Sequence, residues 1–105
     1  MYNLKDAINI KELNEEKGII YKITNRLTNK VYIGKSVNSF NFRYLKSKGM
    51  KVFTTHNNAL QEDLYDYGIT NFTVELLEKN ILDDELLIEL EKSCISQFEQ
   101  KIHII

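Results

Sequence analysis

Two short runs rich in β-branched and aromatic residues, Gly18 to Thr24 (GIIYKIT) and Lys30 to Gly34 (KVYIG), flank a five-residue stretch of turn formers, NRLTN. Ile, Val and Tyr favour a pleated, half-buried surface, and Asn and Thr favour reversal, so the pattern predicts a β-hairpin. No proline, low-complexity tract or internal repeat interrupts the rest of the chain, which divides into short elements. Phe40 to Ser47 reads as a short helix, followed by a loop around Lys48 and Gly49. His56-Asn57-Asn58 offers an N-cap for a second helix carrying Leu60, Leu64 and Tyr67, closed by Gly68. In Asn71 to Leu77, Phe72, Val74 and Leu76 alternate on one face, the period of a third strand. A last helix follows Asp83 as N-cap and runs to about Gln100. Before Lys17, Leu4, Ile8 and Leu13 predict an amphipathic turn or two with no assigned partner, a candidate N-terminal extension over residues 1–17.

A chain of 105 residues, 43% of them hydrophobic, is long enough for one compact core and too short for two. No apolar run approaches the roughly 18 to 20 residues of a membrane span, and the charged start fits neither a signal peptide nor an anchor, so a soluble, intracellular protein is expected. The single cysteine, Cys94, excludes an internal disulfide and a multi-cysteine zinc cage; with only His56 and His103 besides, a zinc site of the usual kind is not expected.

The net charge of -1 hides a division along the chain. Between Lys17 and His56 there is no Asp or Glu, while that stretch carries nine basic residues, among them Lys22, Arg26, Lys30, Lys35, Arg43, Lys46, Lys48 and Lys51. From Asn57 onward, eleven acidic residues face three lysines. An acid-free basic segment is what a phosphate-facing surface needs, since each neutralised phosphate releases counterions. A run of solvated lysines is the alternative.

On the last helix, Leu87, Leu90, Cys94, Ile95 and Phe98 form one apolar face, with Glu85, Glu89, Lys92, Ser96 and Glu99 opposite. Glu91 falls inside the apolar face. A carboxylate so placed loses hydration and must find a cation, a donor or a proton. A divalent metal is one solution and a salt bridge to a basic strand residue is another. Gly34-Lys35-Ser36 superficially matches the end of a phosphate-binding loop, but the glycine required earlier is Asn29, which argues against it. Cys94 lies on an apolar face, where a buried structural thiol is the better reading than a nucleophile.

Ile19-Ile20-Tyr21, then ten residues, then Tyr32-Ile33-Gly34 resembles the signature of the GIY-YIG nuclease family. The similarity continues through Lys35 after the glycine, Arg43-Tyr44 nine residues beyond it, His56 before the second helix, ITNFTVELLE at the third strand, and LIELEKSCI, which aligns the family's metal-ligand glutamate with Glu91. It covers about Gly18 to Phe98. The chain departs from the pattern at Ile19, where the family has its leading glycine, and supplies no asparagine after the glutamate helix.

The resemblance implies an α+β domain over residues 18–105, a small three-stranded antiparallel sheet flanked by helices in the order ββααβα, with two tyrosines projecting into one catalytic pocket. It implies a metal-dependent DNA endonuclease in which Glu91 holds Mg²⁺ or Mn²⁺, one carboxylate sufficing because water and substrate complete the shell. Tyr32 would be the general base for the attacking water, Tyr21 would position that water or share its proton, and Lys35 would lower the phenol's pKa. Arg43 would grip the scissile phosphate, and His56 would bind phosphate or assist a proton transfer. Lys22, Arg26, Lys30, Lys46, Lys48 and Lys51 would contact DNA. A separate recognition domain, a partner protein or a homodimer would supply targeting. A catalytically degenerate module that binds DNA or protein is the alternative.

Overall fold

The computed structural model describes residues 1–40, 44–47, 50–53 and 58–99. In chain order the elements are β1 (Tyr2–Asn3), a 3₁₀ segment (Leu4–Asn9), α1 (Lys11–Glu15), β2 (Ile19–Asn25), β3 (Val31–Ser36), β4 (Tyr44–Ser47), β5 (Met50–Phe53), α2 (Asn58–Tyr67), a 3₁₀ turn (Ile69–Asn71), β6 (Phe72–Glu78) and α3 (Asp84–Glu99). The fold is α+β, with an antiparallel sheet in the order β1-β6-β2-β3 and a separate two-stranded ladder, β4-β5. Among the described residues no helix is long and apolar enough to cross a membrane.

The β2–β3 hairpin forms where the sequence predicts it. Its turn is organised by Asn25, whose side-chain oxygen accepts from the backbone N–H of Leu27 (2.9 Å) and Thr28 (3.3 Å), with Asn29 in the left-handed region at φ 64°. Asparagine suits both tasks, since its short amide mimics a backbone turn and tolerates positive φ. At the other end, Asp83 caps α3 by accepting from the N–H groups of Glu85 (2.9 Å) and Leu86 (3.3 Å), as its sequence position predicts. Gly68, at φ 81°, closes α2, its N–H donating to the Leu64 carbonyl.

Two expectations are corrected. Residues 44–47 form a strand, not the end of a helix from Phe40 to Ser47, because Tyr44 and Leu45 pair with Phe53 and Val52. The ladder partner, Met50–Phe53, lies beyond the segment whose own spacing suggests a helix. The principal sheet has four strands instead of three, because β1 pairs with β6 through Tyr2↔Val74 and Asn3↔Thr73. Residues 1–17 are likewise more than an appendage. Leu4, Ala7 and Leu13 are fully buried in the same core as Tyr21 and Tyr32. Tyr2 donates to Glu12, and Glu12 pairs with Lys79, tying α1 to the region just beyond β6.

The sheet has two differently covered faces. Ile19, Tyr21, Ile23, Tyr32, Phe72 and Val74 share one core with the N-terminal residues, Phe40 and Leu60 of α2. On the other, Ile20, Ile33 and Leu77 meet Leu87, Leu90 and Cys94 of α3. Gly18, one place before the family's glycine position, has φ 59° and approaches Ile81 so closely that a Cβ would lie 2.0 Å from its carbonyl oxygen. The following Ile19 is fully buried in the first core. At this departure from the family pattern, then, a glycine serves the close backbone approach and an isoleucine fills the core.

Candidate active site

Both signature tyrosines project from the same face of the hairpin. Tyr21 stands opposite Gly34 and Ile23 opposite Tyr32, so the two-residue pleat puts Tyr21, Ile23 and Tyr32 on one side. Gly34 has a steric reason to be glycine: a Cβ built there would lie 2.4 Å from both the hydroxyl oxygen and Cζ of Tyr21. The phenol of Tyr21 thus crosses β3, the outer strand of the four-stranded sheet, over the one residue that leaves room for it. Phe40 meets its ring edge-on, with centroids 5.1 Å apart and planes at 78°. Tyr21 retains 8% exposure.

Tyr32 is placed differently, at 2% exposure. Its hydroxyl donates to Asp63 Oδ2 at 2.7 Å, and Asn25 Nδ2 donates to the same oxygen at 3.1 Å. Asp63, on α2, is 6% exposed. Burial pushes the phenol pKa well above its ordinary value, and the hydrogen bond to Asp63, the charge of Asp63 and the neighbouring Tyr67 push it further. A base must surrender its own proton before it can take another, and here the phenol proton is held in the hydrogen bond to Asp63. Asp63 was missed in the sequence. The signal was available, because Asp63 follows Leu60 by three residues on the inward stripe of α2, the same misplaced polarity that singled out Glu91.

Glu91 and Lys35 lie toward the opposite face. Alternation along β3 directs Ile33 and Lys35 away from Tyr32, and Ile33 packs in the core formed with α3. Glu91 is half-buried on α3 and close enough to Cys94 that its charge, after burial itself and the charge of Glu78, raises the thiol pKa. That leaves Cys94 buried and protonated, in keeping with a structural role. Among the described residues no group of three His, Cys, Asp or Glu side chains could hold a metal ion. A single-carboxylate site is a different requirement, and Glu91 offers a hard oxygen donor that is partly open to solvent.

Of the basic residues, Lys22 is committed to Glu75, its cross-strand neighbour, at 3.6 Å. Arg26, in the β2–β3 turn, is exposed and Lys30 half-buried. Lys46 and Lys51 occupy directly paired positions of β4 and β5. Arg43, Lys48 and His56 lie outside the described residues. Gly34-Lys35-Ser36 falls within β3, whereas a phosphate loop would have to open a helix. A concavity of about 470 Å³ along the exposed side of α2 is lined, among the described residues, by Asn58, Gln61, Glu62, Tyr65 and Asp66, none of them a candidate residue.

No family model matches the chain, and no curated protein does. Among solved structures it is similar to the catalytic domain of homing endonuclease I-TevI, with a TM-score of 0.57 and 26% identity over 85% of this chain and 98% of that one. With Tyr21, Tyr32 and Gly34 set on one hairpin as described, the chain has the fold of a GIY-YIG nuclease catalytic domain.

Proposed function

We propose that this chain is a metal-dependent endonuclease domain that hydrolyses phosphodiester bonds in DNA. The observation that carries the reading is the phenol of Tyr21 laid over Gly34 at the outer strand, in a fold similar to that of a homing endonuclease catalytic domain. Tyr21 and Tyr32 lie on one side of β3, with Lys35 and Glu91 toward the other. Gly34 and Lys35 are consecutive on β3, so substrate would be engaged around the edge of that strand at Gly34.

In this reading Tyr21 takes the proton of the attacking water, a choice supported by the burial of Tyr32 and its donor bond to Asp63. Its phenol is a poor base near pH 7 unless cations assist, and Lys35, the next residue after Gly34, is the candidate for that help. Glu91 would hold Mg²⁺ or Mn²⁺, which when bound supplies Lewis-acid stabilisation of charge on the phosphate and leaving oxygens. Arg43 would grip the scissile phosphate in a forked contact, and His56 would bind phosphate or help a proton transfer. Arg26, Lys30, Lys46, Lys48 and Lys51 would follow the backbone of the duplex, with Lys22 contributing less because Glu75 already holds it.

The acidic second half of the chain repels DNA, so binding by this domain alone should be weak and salt-sensitive, with a recognition domain, a partner or a dimer adding affinity. Incubating the protein with supercoiled plasmid, with and without Mg²⁺, tests the reading. Metal-dependent nicking or linearisation is the expected result. Salt-sensitive binding without cleavage at any divalent ion would favour a degenerate binding module instead.

A further inference from the structure

Within the nuclease reading, on which this inference rests, the buried hydrogen bonds around Asp63 hold one of the two tyrosines in place. We propose that Asp63 is a positioning residue: it fixes Tyr32 as a hydrogen-bond donor turned into the core and so sets the tyrosine face that substrate meets.

The physical case begins with the burial of the carboxylate. Asp63 is 6% exposed, and its partners are two neutral donors on the hairpin, the Tyr32 hydroxyl at 2.7 Å and the Asn25 amide at 3.1 Å, both meeting Oδ2. Burying a carboxylate is costly, and strong donors to the ionised form offset part of that cost. Asn25 is held in turn, because its side-chain oxygen accepts the N–H groups of Leu27 and Thr28. The carboxylate is therefore clamped between α2 and the hairpin turn, and Tyr32 cannot rotate its proton elsewhere without leaving Asp63 short of a donor. Among the described residues, the titratable groups facing the Tyr32 hydroxyl are Asp63 and, farther off, Tyr67, both on α2; neither is a cation that would favour a phenolate. Tyr21 has a different setting, with its phenol end against Gly34 at the outer strand. The chemical setting of Tyr32 is thereby fixed by a residue of another element.

The test labels the tyrosine Cζ atoms of the full chain with ¹³C and follows their titration, assigning Tyr32 through Tyr32→Phe. The Tyr32 signal should stay unshifted through the pH range, near 10, in which an ordinary solvent-exposed phenol titrates. In Asp63→Asn it should titrate at lower pH than in the parent. With Mg²⁺ and a labelled duplex, Asp63→Asn should lower kcat by about tenfold or more with little change in KM, because it disturbs placement and not docking. It should add no further loss in a Tyr32→Phe background. If Asp63→Asn does not fold, Asp63→Ser, a smaller neutral acceptor, carries the same expectations. A Tyr32 titration unmoved by either substitution, or full additivity with Tyr32→Phe, would overturn the proposal. A parent that cuts no DNA would instead sink the nuclease reading, while the titration would still decide what Asp63 does to Tyr32.

Discussion

The two faces of the sheet hold their carboxylates on different terms. On the tyrosine face, Asp63 is 6% exposed and meets two hydrogen-bond donors, within a core that includes Leu4, Leu13, Phe40 and Phe72. On the face covered by α3, Glu91 is half-buried, and the acidic Glu78 lies close enough to act on the same thiol. A satisfied buried carboxylate rigidifies what surrounds it, whereas a partly solvated one remains able to take a cation. The comparison teaches that misplaced polarity on an apolar helix stripe has two outcomes. Burial separates them, with Asp63 enclosed and Glu91 partly open to solvent.

The sharpest way to break this contrast is Glu91→Gln, which removes charge and almost no volume. Metal-dependent cleavage is expected to disappear while circular dichroism and DNA affinity stay near those of the parent. Substantial retained cleavage would show that Glu91 is a packing residue, and the two faces would then differ only in degree. Gly34→Ala addresses the tyrosine face. The new methyl would meet the Tyr21 phenol, so turnover should fall by about tenfold to a hundredfold, with about 1–3 kcal/mol lost from stability. Equal turnover in the variant would mean that the position of Tyr21 over the outer strand does not matter to the chemistry.

The pH dependence of stability sharpens the picture of the dry face. The folded state raises the pKa of Tyr32, so it binds the phenol proton more tightly than the unfolded chain does. The resulting stabilisation is fully present below about pH 10, the unfolded value, and is lost as pH rises from there through the higher folded value. Denaturant titrations from pH 9 to 11 should show this fall in the parent and a flatter profile in Tyr32→Phe. The smallest effect is expected on the other face at Lys22→Ala. Its 3.6 Å pair with Glu75 is partly open to solvent, so unfolding should cost less by only about 1 kcal/mol or below. A larger loss would show that this ion pair, too, belongs to a tightly determined core.

Much of this arrangement was legible in residue order. The hairpin was, because Ile, Val and Tyr around an asparagine-bounded turn leave few alternatives to two paired strands, and Asp83 announced the start of α3 as a cap. Glu91 stood out because one helical wheel suffices to see a carboxylate among Leu87, Leu90 and Cys94. What escaped depends on contacts between distant segments. The pairing of Tyr44–Ser47 with Met50–Phe53 overrode a local helical reading, and the partners of Leu4 and Leu13 became apparent only when the N-terminal strand joined β6. Asp63 escaped for a subtler reason. Its position on α2 is visible in sequence, but the hydroxyl it accepts from lies 31 residues earlier, and only the folded chain brings them to 2.7 Å.

The most direct test of the account is single-turnover cleavage of a labelled DNA duplex in Mg²⁺ by the parent and by Tyr21→Phe. Loss of one hydroxyl should leave binding nearly unchanged and slow cleavage by about a hundredfold or more, the scale of a missing proton-transfer group. Cleavage at the parental rate without that hydroxyl would contradict the assignment of the chemistry to Tyr21 on the β2–β3 hairpin.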